Sequence, residues 1–465
     1  MRLGFSGAGA LASLMLVGAP APAVAADPAP AAAAAATGVA ARGVSEPQAL
    51  NAHAYSLRLP KVGPLSVMAQ LGGRLFHDRR LSGSGRLSCA SCHDPERAYG
   101  PPGAGAVVLG GAAGHASGYR AVPSLRYLYR QPPFTIGPDT TADSDNAPVL
   151  AQQAQRSLGA PRALKSALDT QAAAANLVPQ GGLFWDGRVN TLQQQADGPL
   201  FNPIEMGADP QAVLGLLQSA YGDALKALFG PTLFRSPHLA LDEAMFAIAR
   251  YQIESADFHP FTSKFDAWLA GRARFTPAEL RGYEAFNDPA RGNCAACHLD
   301  QPTRDGLPPL FTDFQYEALG VPRNAAIPAN RDPTYFDLGL CGPFRTDLAS
   351  QRRYCGMFLT PTLRNVATRR VFFHNGTFHS LRMVLDWYVN RDLSPARFYP
   401  RDAAGHVIAY DDLPPADRAN VDTIDAPFDR HPGDAPALSS AEIGDVIAFL
   451  GTLTDGYPAF LHRSR

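Results

Sequence analysis

Lysine, net charge and long apolar runs are all scarce in this chain of 465 residues. Arginine supplies nearly all of the basic charge, because the only four lysines are Lys61, Lys165, Lys226 and Lys264. The formal net charge is −1 at pH 7, which gives no reason to expect nucleic acid or an anionic membrane surface as a partner. After the N-terminus, no stretch is long and apolar enough to span a bilayer. Nucleic-acid binding and membrane-spanning functions therefore drop out of the candidates.

The N-terminus is typical of a cleaved export signal. Arg2 precedes a short apolar run, and Ala23-Val24-Ala25 has the small-residue pattern of a cleavage site. Two prolines break the run, so a signal peptide over residues 1–26 is favoured over a membrane anchor. Residues 27–43 are a low-complexity Ala/Pro stretch, which predicts a linker. We therefore expect a periplasmic protein.

Cysteine is scarce as well, and four of the six cysteines fall into two copies of one pattern. Cys89–His93 and Cys294–His298 both read C-x-x-C-H, the attachment signature of a c-type haem. Two thiols one helical turn apart can each add to a haem vinyl group, and the adjacent histidine then faces the iron. A thioredoxin-like pair or half of a zinc site explains the histidine less well. The residues assigned to haem attachment and iron ligation are Cys89, Cys92, His93, Cys294, Cys297 and His298.

Helix signals divide the chain into two halves with the same plan. A helical pattern over residues 70–76 leads to the first haem motif, and a helix capped by Thr276 leads to the second. Long loops and a closing helix follow in each half. The prediction is a mainly α fold of two cytochrome c-like haem domains with long irregular loops, related by duplication. The N-terminal domain would span 44–235, with an insertion at 138–180, and the C-terminal domain 236–465.

Three features of the loops leave alternatives open. The remaining cysteines, Cys341 and Cys355, can form a disulfide in an oxidising compartment. His115 lies in a Gly-rich loop, where a histidine is usually solvated but could also be a removable sixth ligand of the first haem iron. The insertion at 138–180 fits either a flap over the haem or a surface decoration.

Further stretches form a joint pattern with the haem motifs. They are Phe184-Trp185-Asp186-Gly187-Arg188, its continuation to Glu205-Met206, and Thr360–Ala367, with Phe373–Gly376 also fitting. Together these stretches resemble the bacterial dihaem cytochrome c peroxidase and MauG family. The resemblance covers residues 65–460 apart from the insertion, and it implies an oxidoreductase with two covalently bound c-type haems.

The resemblance also implies roles for particular residues. In this family the N-terminal haem reacts with peroxide and the C-terminal haem relays or stores an electron. Trp185 matches a tryptophan that lies between the two haems. Gln195 and Glu205 match positions above the first haem, and Glu205 matches the carboxylate that moves a proton between the peroxide oxygens.

Two departures from the family pattern concern metal ligands. The second haem needs a sixth ligand, which is Met in family peroxidases and Tyr in MauG-type enzymes. Met357 is the candidate here, and Tyr354 is the alternative. Ala121 stands where the family often has an Asn that helps to hold calcium between the haems, so calcium stays open.

Peroxide reduction is the leading functional prediction. Hydrogen peroxide would be reduced to water with electrons from a small donor protein, either a cytochrome c or a cupredoxin. The alternative is a MauG-type oxidase that oxidises a partner protein or a small metabolite. A plain electron carrier is the third candidate, but it leaves Gln195 and Glu205 without a role. A homodimer is one assembly that the sequence leaves open.

Overall fold

The computed structural model describes residues 50–51, 54–138 and 177–458. The expected signal peptide (1–26) and the Ala/Pro linker (27–43) lie outside the described residues, as does most of the insertion. In the part of the chain that is described, no helix is long and apolar enough to cross a membrane.

The described residues are mostly helical, which confirms the mainly α expectation. Helices are joined by long irregular segments that contain short 3-10 turns. The α-helices are Val67–His77 (α1), Cys89–Cys92 (α2), Leu192–Phe201 (α3), Pro210–Phe229 (α4), Pro237–Glu254 (α5), Lys264–Leu269 (α6), Pro277–Asn287 (α7), Leu381–Asn390 (α8) and Ser440–Gly451 (α9).

The strands form three small antiparallel pairs. They are Leu109–Gly110 (β1) with Ala116–Ser117 (β2), Thr135–Pro138 (β3) with Leu177–Gln180 (β4), and Tyr316–Glu317 (β5) with Phe358–Leu359 (β6). In the β3–β4 pair, Thr135 lies opposite Gln180 and Pro138 opposite Leu177. The two ends of the insertion therefore meet, and the insertion can vary without displacing the chain on either side.

Side-chain caps set the helix starts that the sequence predicts. Thr276 accepts a hydrogen bond from the Glu279 N–H at the start of α7, and Ser439 and Glu442 form the same reciprocal box at α9. Helix α3 contains Pro199 in its last turn. The helix continues to Phe201 because the Asn202 N–H still donates to the Gly198 carbonyl, 3.0 Å away. Proline removes its own N–H and leaves this later hydrogen bond intact.

Two hydrophobic cores are built on similar helix crossings. The first core contains buried side chains of α1, α4 and α5, and the second contains those of α6 to α9. In the first crossing Gly72 meets the Ala247 backbone, and in the second Gly282 meets the Asp445 backbone, with no room for a Cβ at either glycine. Each glycine thus allows a close approach next to a haem motif.

Helix α5 bears on the predicted domain boundary at 235/236. Helix α5 begins at Pro237, yet its buried residues Ala240, Ala244 and Ile248 belong to the first core. The second core begins only at Phe265. Helix α5 therefore packs with the first half of the chain, because its apolar face lies against α1.

We expect Gly282→Ala to lower the thermal stability of the haem-loaded protein. The new methyl group would collide with the Asp445 carbonyl, and overpacking of this kind typically costs about 1–3 kcal/mol. The matched control is Gly215→Ala in α4, where an added Cβ has no atom within 4 Å. This control should be neutral or slightly stabilising. Equal thermal unfolding midpoints for the two variants would contradict the close contact between α7 and α9 at Gly282.

Candidate functional site

The first haem motif is held in a fixed orientation by local hydrogen bonds. Helix α2 carries Cys89 and Cys92, and the Ser88 backbone N–H donates to the Ser91 hydroxyl at its start. The Nδ1 atom of His93 lies 3.1 Å from the Tyr99 carbonyl. Because a carbonyl only accepts, Nδ1 carries the proton and Nε2 is the metal-binding nitrogen. Burial lowers the pKa of His93 to about 4, so the ring is neutral at neutral pH.

The second motif repeats this arrangement on a different turn. Cys294 opens a short 3-10 helix, and the Nδ1 atom of His298 lies 2.9 Å from the Phe311 carbonyl. Each motif lines its own cavity, here named the first cavity (with His93) and the second cavity (with His298). Two thiols and one oriented imidazole at the wall of a cavity are the donor set of a c-type haem. The residues at both sites therefore fit the cofactor.

The first cavity gathers the residues that the sequence assigns to peroxide chemistry. The cavity is lined by the predicted residues Gln195 and Glu205. It is also lined by Pro199, Asn202, Cys89, Cys92 and His93. His115 does not belong to this lining. It is exposed, and its Nδ1 lies 3.3 Å from the Ala113 carbonyl. The structure therefore supports a solvated surface position for His115. It does not support His115 as a ligand of the first haem iron.

Glu205 is a partly buried carboxylate that lines the first cavity. Burial raises its pKa above the ordinary value, while the charge of Arg188 and a hydrogen bond from Asn202 oppose the rise. The Asn202 Nδ2 atom donates to Glu205 Oε1 over 2.9 Å. A carboxylate with a raised pKa can both accept and return a proton near neutral pH. Its position thus suits proton transfer inside the cavity.

Trp185 lines both cavities. Its indole N–H donates to the Ala121 carbonyl over 2.8 Å, and its own carbonyl accepts from the Leu359 N–H over 2.9 Å. The ring is 9% exposed. The structure therefore brings Trp185 to the wall that the two haem sites share, as the resemblance implies.

A buried charge network fixes the segment around Trp185. Arg120 donates to Asp186 over 2.7 Å and to Asp337 over 2.6 and 2.7 Å. Burial by itself would raise the pKa of Asp337, but the Arg120 charge and hydrogen bonds bring it below the ordinary value. Sequence reasoning missed Arg120 and Asp337, because they lie 217 residues apart and neither belongs to a motif.

Met357, the predicted ligand of the second haem, does not line the second cavity. Its side chain packs beside Tyr316, Leu340 and Tyr354 in a separate hydrophobic cluster. Tyr354 is buried in the same cluster, and its hydroxyl has no hydrogen-bond partner there. The prediction is corrected for a physical reason: β6 begins at Phe358, and the preceding turn directs Met357 into this cluster.

Tyr388 lines the second cavity instead. It lies on α8 near Cys294 and Cys297, with its ring stacked on Phe428 at a centroid distance of 5.2 Å. Tyr127 and His374 also line this cavity, and both are of a side-chain type that ligates haem iron. The Tyr127 hydroxyl is hydrogen-bonded to Asp455, and His374 stacks on Phe358 near Asp412. No signal in the sequence indicated a ligand on α8.

The two cysteines outside the haem motifs are joined. Cys341 and Cys355 form a disulfide across 14 residues of sequence, which confirms the expected pairing. For calcium the described residues give less support. No group of three His, Cys, Asp or Glu side chains among them could hold a metal ion, and Ala121 uses its carbonyl for Trp185.

These features define a class of protein: a c-type redox protein with two haem sites that share an aromatic wall. A sequence profile described as di-haem cytochrome c peroxidase matches residues 66–274. The methylamine utilization protein MauG of Paracoccus denitrificans is 33% identical over 420 residues, covering 86% of this chain and 92% of that protein. The chain therefore belongs to the dihaem cytochrome c peroxidase and MauG family of oxidoreductases, which implies two haems.

Relatives of both types match this chain. The cytochrome c551 peroxidase of Nitrosomonas europaea is 27% identical over 348 residues, covering 74% of this chain and 78% of that one. The crystal structure of the diheme peroxidase BthA from Burkholderia thailandensis is 37% identical, with a TM-score of 0.70, covering 85% of this chain and 88% of that one. A tyrosine-to-methionine variant of BthA gives the same TM-score of 0.70.

Replacing Cys89 and Cys92 together with Ala should remove one covalent haem and leave the other. The reason is that the two motifs line separate cavities. Replacing Cys294 and Cys297 should remove the other haem, and each pair serves as the control for the other. Intact mass of the denatured protein measures covalent haem directly. A wild-type mass that corresponds to one haem or none would contradict the assignment.

Proposed function

We propose that this protein is a periplasmic peroxidase that reduces hydrogen peroxide to water at its first haem site. The electrons would come from a small donor protein, a cytochrome c or a cupredoxin. One observation carries the proposal: Glu205, a desolvated carboxylate, shares the first cavity with the iron-binding His93 and both thiols. A plain electron carrier would have no use for a partly buried acid there. The disulfide between Cys341 and Cys355 supports an oxidising compartment.

The chemistry needs a proton to move between the two peroxide oxygens. When bound, haem supplies an iron that can bind peroxide and exchange single electrons. Hydrogen peroxide, two electrons and two protons give two waters, so one oxygen must first lose a proton and the other must gain one before it leaves. Glu205 can take the first proton and return it. Asn202 holds the carboxylate, and the Gln195 amide can donate a hydrogen bond to the bound substrate.

Trp185 would couple the two sites. Peroxide cleavage takes two electrons, while a cytochrome or cupredoxin donor gives one at a time. A second haem site that stores one electron solves this mismatch, provided that the two sites are connected. Trp185 lines both cavities, so its aromatic ring is the connection that we propose.

We expect Glu205→Gln to slow the reaction with peroxide by ~10²- to 10⁴-fold, the usual contribution of general acid–base catalysis. Gln keeps the size of the side chain but cannot carry the proton. Because burial raises the pKa of Glu205, its carboxylate forms at a higher pH than that of an ordinary glutamate. The wild-type rate should therefore rise with pH through this raised pKa, and the variant rate should lack that rise.

Stopped-flow mixing with peroxide measures this rate, and haem content is checked by mass. The control is Glu284→Gln on the exposed side of α7, which makes the same chemical change away from either cavity. An unchanged peroxide rate in Glu205→Gln, with both haems present, would remove Glu205 from the mechanism.

The MauG-type oxidase is the second candidate, and the placement of Tyr388 favours it. We propose Tyr388, in place of Met357, as the sixth ligand at the second haem site. Tyr388 lines the second cavity close to Cys294 and Cys297. The Tyr127 hydroxyl is instead hydrogen-bonded to Asp455, and the His374 ring stacks on Phe358 with its Nε2 3.4 Å from Asp412. A phenolate is a hard anionic donor that stabilises oxidised iron, whereas a thioether raises the potential. A site of this kind would suit storage of oxidising power for a partner protein or metabolite.

Tyr388→Phe should change the spectrum of the second haem and raise its reduction potential, because an anionic ligand is lost. Met357→Leu should leave that haem nearly unchanged, since Met357 packs in another cluster. UV–visible and EPR spectra of the oxidised protein, with spectroelectrochemical titration, compare the two variants. The reverse pattern would restore Met357 as the ligand. Turnover of peroxide with a reduced cytochrome c then separates the peroxidase from the oxidase.

We also propose that the two halves arose by duplication. The support is a shared local plan: a helix with a glycine crossing, a haem motif, and a histidine that donates Nδ1–H to a carbonyl. The insertion at 138–180 then belongs to the first half alone. We also propose a homodimer, and analytical ultracentrifugation would measure its mass directly.

A further inference from the structure

Arg369 lies at the junction of the two haem cavities. Its side chain lines the second cavity, and its Nη2 donates to the carbonyl of Val122 over 3.0 Å. Val122 lines the first cavity. One guanidinium is therefore close to both cofactor sites.

Unlike nearby arginines, Arg369 faces no carboxylate in the part of the chain that the structure describes. Arg126 pairs with Asp455 at 3.1 Å, and Arg364 pairs with Asp266 at 2.8 Å. For Arg369, burial alone lowers the pKa to about 10, and no carboxylate of the described chain counters this. The group is still charged at neutral pH. A buried charge without a partner is costly, so a negative group is expected beside it when the cofactors are bound.

The same position bears on calcium. Ala121, next to Val122, supplies no side-chain oxygen, and its carbonyl already accepts from Trp185. The Nε atom of Arg369 donates to the Val371 carbonyl over 3.2 Å, while Nη2 occupies the Val122 carbonyl. Carbonyl oxygens are ligands that calcium prefers. Here the carbonyl oxygens of Val122 and Val371 accept hydrogen bonds from Arg369 instead.

We propose that Arg369 is a built-in cation between the two haem sites, which binds haem propionates and takes the place of a calcium ion. A guanidinium suits carboxylates because its fork of N–H donors matches two oxygens. The inference depends on the two haems that the family implies and not on the substrate. Arg369 is a positioning residue, since it acts on the potentials of the haems and not on the reacting oxygens.

Two measurements on the haem-loaded protein test this proposal. The first is calcium content of the wild type by elemental mass spectrometry, with haem spectra recorded before and after a chelator wash. The second is the reduction potential of each haem in Arg369→Gln, Arg369→Lys and Arg370→Gln. Arg370 is the matched control because it is the next residue along the chain and is exposed.

We expect no stoichiometric calcium and no response of the spectra to the chelator. Arg369→Gln should shift the redox equilibrium of at least one haem by tenfold or more toward the oxidised form, about 59 mV for one electron, because a nearby positive charge is lost. Arg369→Lys should retain most of the wild-type potential, and Arg370→Gln all of it.

One chelator-sensitive calcium per chain would overturn the proposal, even if Arg369→Gln failed to bind haem. Equal potentials in Arg369→Gln and Arg370→Gln would also overturn it. Neither readout requires peroxide turnover, so failure here is distinguishable from failure of the peroxidase proposal.

Discussion

The ion pairs of Arg120 are the interaction on which the junction of the two halves depends. Arg120 comes from the segment after the first haem motif, Asp186 follows Trp185, and Asp337 belongs to the second half. One buried guanidinium thus ties together three segments that are distant in sequence. Removing one partner of a buried pair commonly costs about 3–5 kcal/mol, since the other charge is left uncompensated. Replacing any one of these three charged side chains alone would therefore destabilise the junction.

The position of Trp185 follows from this network. Asp186 is its neighbour in sequence, and the indole N–H bonds to Ala121, the neighbour of Arg120. The ion pair and the indole hydrogen bond therefore act on the same two segments. An aromatic ring that is fixed in this way keeps a constant relation to both cavities. Reliable coupling between two cofactors requires such rigidity, because the wall residue must not change rotamer between turnovers.

The sequence allowed some features to be predicted because their signals are local. The C-x-x-C-H motifs, the caps at Thr276 and Ser439 and the single remaining cysteine pair each depend on a few neighbouring residues. Proximity in sequence to a motif favoured Met357 as the ligand at the second haem, although Met357 packs in a separate cluster. The structure places Tyr388 in the cavity, since α8 crosses back over the second motif. The packing of α5 could not be predicted for a related reason: an amphipathic helix does not reveal in its sequence which core it packs against.

The partners of each arginine at the junction explain why Arg369 has a positive charge available for the cofactors and Arg120 does not. Arg120 and Arg188 face Asp186 and Asp337, so that cluster of two guanidiniums and two carboxylates is electrically balanced. It can fix the backbone around Trp185, but it offers no net charge to a bound anion. Arg369 is different, because its hydrogen bonds go to neutral carbonyls. Neutral partners orient a guanidinium without consuming its charge. The junction thus separates two roles of arginine, one that holds the protein segments together and one whose positive charge is left for the haem carboxylates.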